Sequence, residues 1–331
     1  MSTPRVRPAP RRRAAQVRPA PRVRPAPRAL VELVRLPAAL SVPGDVLVGA
    51  AAAGWPFGRR TVALVGSSTC LYWAGMALND WADRQVDAVE RPHRPIPSGR
   101  VAAGFALGLA GGLTVAGLAV AAAAGGRRAL AVAVPLAGAV WTYDLGVRSF
   151  PAGPAVMAGA RALDVLLGAG GHPAALPAAA TVFAHTAVVT GLSAVEVSGG
   201  PAGARRARAS LAGTAVVAGL SVAAARRPAA GVVPRLLGAG AAGDVPRWRG
   251  AGRLLGAGLL GSYAAVVGSA QLTAARDPQP ATVQRAVGAG VLGLIPLQAS
   301  LLAAGGAPRL AAGLAALWPL ARRLSRRVSP T

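Results

Sequence analysis

Apolar runs of about twenty residues recur along most of this 331-residue chain, separated by short breaks that carry Arg. Roughly twenty apolar residues wound as a helix cross the ~30 Å hydrocarbon core of a bilayer, and a helix satisfies its own backbone hydrogen bonds there. Nine candidate spans follow, at roughly 30–53, 61–82, 101–124, 129–149, 151–170, 174–197, 207–226, 251–274 and 282–304. The expected fold is therefore all-α, a polytopic membrane protein with about nine transmembrane helices. Only 14% of the residues are charged, where a soluble domain carries about a quarter. Two apolar segments blur the count: 229–244, short and broken by Pro234 and Arg235, and 307–320, followed by Arg322, Arg323, Arg326 and Arg327.

Three regions are expected: an Arg/Pro-rich disordered arm at 1–28, a transmembrane domain at 29–305, and a short apolar segment with a basic C-terminal tail at 306–331. The arm contains Val-Arg-Pro-Ala-Pro three times, from Val6, Val17 and Val23. Proline at that density favours an extended, polyproline-like chain. Its nine Arg lack interleaved aromatic residues for base stacking, so the reading is a cytoplasmic tail held against anionic membrane lipids, not a nucleic-acid contact. An uncleaved first helix is expected after it.

With the basic arm inside, the even-numbered helices end on the cytoplasmic face of the cell membrane. The loops there carry Arg84, Arg91, Arg94 and Arg100, then Arg148, then Arg205, Arg206 and Arg208, then Arg276. The loop after helix seven, with Arg226, Arg227 and Arg235, runs against that order. The single cysteine, Cys70, has no partner for an intrachain disulfide.

The chain has eleven carboxylates, and four of them crowd into the end of the second run: Asp80, Asp83, Asp87 and Glu90. On a helix turning about 100° per residue they share roughly a quarter-turn arc with Asn79. Acids at a membrane-helix end survive when they face water, a partner or an ion. Mg²⁺ takes a few carboxylates, keeps waters and bridges to phosphate, so oxygen ligands on one face suit a diphosphate site. The alternative is a plain solvated helix end. Directly downstream, Glu90-Arg91-Pro92-His93-Arg94-Pro95-Ile96-Pro97-Ser98-Gly99-Arg100 reads as an ordered loop whose guanidinium groups fit phosphate oxygens.

Asn79-Asp80-x-x-Asp83-x-x-x-Asp87, followed by Arg94-Pro95-Ile96-Pro97-Ser98-Gly99, resembles the first signature of the UbiA-type intramembrane prenyltransferases over residues 30 to about 305. The resemblance implies helices around a central cavity, and an isoprenoid diphosphate bound through Mg²⁺ by Asp-rich motifs at the ends of helices two and six. It implies transfer of the prenyl group to a lipophilic or aromatic acceptor. Asp80, Asp83 and Asp87 are then the catalytic and metal-holding acids, with Asn79, Arg91 and Arg94 on the substrate. The second motif is reduced: Gly191 to Gly200 contains no Asp, and Glu196 is its only acid, standing in as the second metal ligand.

Other polar residues in the spans carry open alternatives. Tyr143 and Arg148 end helix four, where the family faces a Tyr and a basic residue to the diphosphate; Asp144 and Arg148 are also spaced for an ion pair. Asp164 faces the cavity or pairs with Arg161 on its own helix. Arg35 reaches a phosphate or snorkels to the interface. Asp45 and His185 are read as interhelical hydrogen-bonding groups. Two rivals use the same scaffold: an inactive lipid-handling or transport protein, and a transferase joining polyprenyl phosphate to a sugar diphosphate.

Overall fold

The structure, a computed structural model, describes residues 25–35, 41–54, 57–147, 150–226 and 245–325. Eleven α-helices are present among them: α1 Pro27–Leu33, α2 Val42–Ala52, α3 Arg59–Ala82, α4 Arg84–Glu90, α5 Ala103–Asp144, α6 Gly153–Gly168, α7 Leu176–Ser193, α8 Gly200–Arg226, α9 Val245–Arg276, α10 Pro280–Ala304 and α11 Pro308–Ser325. Proline sits in the first turn of α1, α2, α6, α7 and α10. Its missing N–H costs nothing there, and its fixed φ suits the turn.

Six helices, α3, α5, α7, α8, α9 and α10, are long and apolar enough to cross a membrane. The difference from nine has a physical origin in each case. The expected span 30–53 is divided between α1 and α2, and α2 has only 11 residues. The expected span 151–170 is a helix of 16 residues, α6. The spans 101–124 and 129–149 fall within one helical run, α5, which is broken at Gly126 with φ 60°. That left-handed φ is open to glycine at no steric cost. Trp141 Nε1 donates to Thr114 Oγ1 at 3.0 Å. Twenty-seven residues of straight helix would hold these groups about 40 Å apart, so the two limbs of α5 fold back on each other at Gly126.

Short α2 and α6 compensate for length by close approach. A Cβ added at Gly49 would strike the Val165 backbone, and one at Gly168 would strike that of Val46. Small residues are what allow membrane helices to meet this closely. Central α10 is the most enclosed of the long helices, with Ile295, Leu297 and Leu302 fully buried. Residues 306–331 were expected as a short apolar segment with a basic tail; α11 covers the first part, burying Ala311, Leu314 and Ala321 and exposing Arg322 and Arg323. Most of the arm and the whole of 229–244 lie outside the described residues, and α1 already begins at Pro27.

Candidate active site

The acidic helix end is two helices. α3 stops at Ala82, Asp83 takes φ −83° and ψ −2°, and α4 resumes at Arg84. The backbone bonds nevertheless run on, from Asp83 N to Asn79 O and from Asp87 N to Asp83 O, so the side chains keep near-helical phasing. They are not equivalent: Asp80 and Asp87 are buried, Asp83 is half-buried and Glu90 is exposed.

Arg94 organises the buried pair. Its Nη1 donates to Asp80 Oδ1 at 3.2 Å and to Asp87 Oδ2 at 3.0 Å, and only 13% of its side chain is exposed. The Pro-rich loop holds Arg94 in place: Ser98 N and Oγ both donate to the Arg94 carbonyl. Arg100 faces away from the acids, paired with Glu32 of α1 at 2.7 Å and bonded to the His93 carbonyl. It ties the loop to α1 and is not among the cations turned to the acids.

A second guanidinium closes the other side. Arg35 Nη2 donates to Asn79 Oδ1 at 3.1 Å and lies 3.5 Å from Asp80 Oδ1. Arg35 holds φ 45°, a left-handed conformation costing a non-glycine residue about 1–2 kcal/mol, which its two charge-assisted contacts offset. Asn79 in turn donates from Nδ2 to Asp144 Oδ1 at 3.2 Å. Arg148, read from the sequence as facing the diphosphate or pairing with Asp144, lies outside the described residues.

Arg91 sits at the outer edge, 3.8 Å from Asp87 Oδ1. Glu196 follows the end of α7, half-buried. Burial pushes its carboxyl above the ordinary glutamate value, and the Arg91 guanidinium pulls it partly back. Arg91 therefore lies within electrostatic reach of both Asp87 and Glu196, and the ends of α3–α4 and α7 share one face of the bundle.

The donors are hard carboxylate and amide oxygens, the set Mg²⁺ prefers. One Arg94 nitrogen touching both Asp80 and Asp87 marks a point where two carboxylates converge on a single positive centre. Among the described residues, no three His, Cys, Asp or Glu groups form a ready cage. The carboxylate and amide oxygens present are nonetheless of the kind that Mg²⁺ takes a few at a time, with waters and phosphate oxygens completing its shell.

From Asp144 a cavity of about 140 Å³ runs between α3, the second limb of α5 and α6. Tyr72, Gly75, Val140, Tyr143 and Asp164 line it, with largely apolar walls. Tyr143 thus stands beside Asp144 at one end and Asp164 lies at the other. Sequence reasoning missed the partner of Arg161. It pairs across helices with Asp45 of α2 at 2.9 Å, and Asp45 also accepts from Gln298 of α10 at 2.6 Å. The lone acid and the lone Arg were both visible, but their helix crossing was not. The interhelical hydrogen bonds expected of Asp45 and His185 are both present, from Gln298 to Asp45 and between His185 Nδ1 and Tyr263 Oη.

Among solved structures, the apo form of a UbiA homologue from Aeropyrum pernix K1 aligns over 80% of this chain and 96% of its own, with TM-score 0.56 and 19% identity. A structure concerned with digeranylgeranylglyceryl phosphate synthase in membranes aligns over 85% and 98%, with TM-score 0.54 and 15% identity. These likenesses concern the fold. In sequence, the digeranylgeranylglyceryl phosphate synthase of Halobacterium salinarum is 37% identical over 164 residues, 46% of this chain and 59% of that protein. The chloroplastic chlorophyll synthase of Oryza sativa subsp. japonica is 38% identical over 79 residues, 22% of this chain and 21% of that protein. The chain thus spans from about a fifth to under two thirds of the length of these curated relatives. The model of the UbiA prenyltransferase family matches residues 42–243, well over half of the chain and all of the Asp80–Glu196 site. The chain belongs to the UbiA prenyltransferase family.

Proposed function

We propose that this protein transfers a prenyl group from an allylic isoprenoid diphosphate to a lipophilic or aromatic acceptor within the membrane. The observation that carries the reading is the convergence of Asp80 and Asp87 on one cationic nitrogen, linked through Asn79 to the Asp144 end of an apolar-walled cavity. The relatives named digeranylgeranylglyceryl phosphate synthase support it, since that product carries prenyl groups in its name.

In this reading Asp80 and Asp87, with Asn79 and Asp83, would hold Mg²⁺ beside the diphosphate, and Glu196 would contribute from the end of α7. Mg²⁺ bound there would neutralise charge gathering on the leaving diphosphate, the electrostatic route to a lower barrier. Arg94 exchanges its carboxylate contacts for phosphate oxygens, and Arg35 and Arg91 flank the same space. Arg148 is assigned to that end from the sequence. Tyr143 and the apolar cavity wall enclose the allylic carbon and keep water from capturing it.

The proposed topology has nine crossings: α2, α3, the two limbs of α5, and α6 to α10. The N-terminal arm and the Asp-rich helix end lie on the cytoplasmic side, with the arm on anionic lipid. The test is incubation of purified protein with Mg²⁺, radiolabelled allylic diphosphates of several lengths and a native lipid extract. A labelled lipophilic product that requires both Mg²⁺ and the extract is expected. Absence of any product at every chain length would remove the reading.

A further inference from the structure

The floor of the cavity carries two polar groups that nothing in the diphosphate site uses. Asp164 is 6% exposed, lines the cavity, and accepts from Ser68 Oγ through Oδ2 at 2.7 Å. Its Oδ1 is buried and has no hydrogen-bond partner among the described residues. Arg161, one turn earlier on α6, also lines the cavity. Its Nε faces Asp45, while its buried Nη2 has no hydrogen-bond partner among the described residues. Gln298 donates to Asp45 and to the Ser41 carbonyl, which fixes Asp45 and holds Arg161 from behind.

Leaving a buried donor and a buried acceptor unmet is costly, and together they specify what meets them. Asp164 Oδ1 needs a donor, and Arg161 Nη2 needs an acceptor. A hydrocarbon tail offers neither. A carboxylate or phosphate would meet Arg161 but repel Asp164, and an ammonium would do the reverse. A neutral hydroxyl offers both, its O–H to the carboxylate and its lone pair to the guanidinium.

Position sets the role. Ser68, which orients Asp164, lies eleven residues before Asn79 on α3, about 16 Å along the helix axis. A group at the floor is therefore too deep to attack the allylic carbon of a diphosphate held at Asp80. We propose that Asp164 and Arg161 are positioning residues that bind a hydroxyl at the far end of the prenyl acceptor, so that its other end faces the diphosphate. The acceptor class is accordingly an alcohol or phenol long enough to reach from the floor to the allylic carbon. The role as acceptor site rests on the prenyl-transfer reading; the hydroxyl site itself does not.

The test uses the full chain in lipid nanodiscs, with protein-free nanodiscs as reference. Para-cresol and para-xylene share a ring and a methyl group and differ only in a hydroxyl, present in the first and replaced by methyl in the second. Saturation-transfer NMR reads their affinities. The parent should bind para-cresol about tenfold more tightly, the value of one buried charge-assisted hydrogen bond, although para-xylene partitions better into lipid. Asp164→Asn should bring the ratio close to one, because the Ser68 bond keeps the amide oxygen and turns the amide N–H₂ toward the cavity. Ser68→Ala, which keeps the charge but frees the carboxylate, should reduce the ratio by about two- to threefold, and it decides the matter if Asp164→Asn does not fold. Equal affinities in the parent, undetectable para-cresol binding, or a ratio unchanged in both variants overturns the proposal and leaves only water at the floor. Calorimetry of geranyl diphosphate with Mg²⁺ on the same parent sample tests the prenyl-transfer reading separately, since its failure leaves the para-cresol result standing.

Discussion

Arg94 and Asp87 are joined by a 3.0 Å hydrogen bond from Nη1 to Oδ2, and the same nitrogen reaches Asp80. The protein thus supplies its own cation to two buried carboxylates that would otherwise repel each other. Removing that cation should expose the repulsion. Arg94→Ala is expected to lower the melting temperature in the absence of divalent metal, because truncating one partner of a buried charge pair is strongly destabilising. Added Mg²⁺ should restore part of the loss, and should raise the variant's melting temperature more than the parent's. Equal Mg²⁺ responses in a thermal-shift titration would separate Arg94 from the metal position.

Glu196 provides a pH test. Burial raises its carboxyl above the usual 4.5, with Arg91 opposing. A raised carboxyl value means that ionisation opposes folding, so that contribution to stability is present at low pH and lost as the pH rises through the raised value. Activity should run the other way, because only the ionised form holds a cation. At limiting Mg²⁺, kcat/KM, which reports the free enzyme, should fall as the pH drops through a value above 4.5, and Arg91→Ala should move that limb to higher pH. In Glu196→Gln the limb should vanish, with turnover lower by about 10²–10³-fold at limiting Mg²⁺. A pH–rate profile with the same acid limb in parent and Glu196→Gln would take Glu196 out of the site.

The shared face of the α3–α4 and α7 ends is open to labelling. Glu90 and Ser198 are exposed, and Cys70 can be removed. Cysteines at positions 90 and 198 should react with a membrane-impermeant maleimide from the same side, and only after the cytoplasmic face is opened. Labelling from opposite sides would contradict a site built from both helix ends.

The α2–α6 crossing predicts a stability effect remote from the acids. A Cβ at Gly168 would run into the Val46 backbone, and backbone cannot swing aside as a side chain can. Gly168→Val should destabilise by at least the ~1–3 kcal/mol typical of overpacking, read as a lowered melting temperature and reduced yield in membranes. Wild-type stability in this variant would mean that the two helices sit further apart.

Much of this was legible in the sequence because it is local. The Asn79–Asp87 spacing places its acids together on any near-helical path, so the joint at Asp83 did not disturb it. The Pro-rich loop after Arg91 was readable as ordered for the same reason. Contacts between distant segments were not readable. Arg161 and Asp164 have the spacing of an intrahelical pair, yet Arg161 turns to Asp45 on α2 and Asp164 to Ser68 on α3. Arg100 looked like a third phosphate ligand, but α1 packs close enough for Glu32 to hold it. Helix lengths misled where a short helix is buried by close glycine contact, as in α2, and where one glycine turns a long run back, as in α5.

The central claim is that Asp80 and Asp87 bind an allylic diphosphate through Mg²⁺. Calorimetric titration of a non-reactive geranyl diphosphate analogue into the parent and into Asp80→Asn/Asp87→Asn, each with Mg²⁺ and with EDTA, tests it most directly. These changes keep the size of both side chains and remove only their charge. The parent should bind the analogue with Mg²⁺ and lose that binding in EDTA, and the double variant, still inserted and folded, should bind weakly in both. Binding that is indifferent to Mg²⁺, or that survives unchanged in the double variant, would contradict the account.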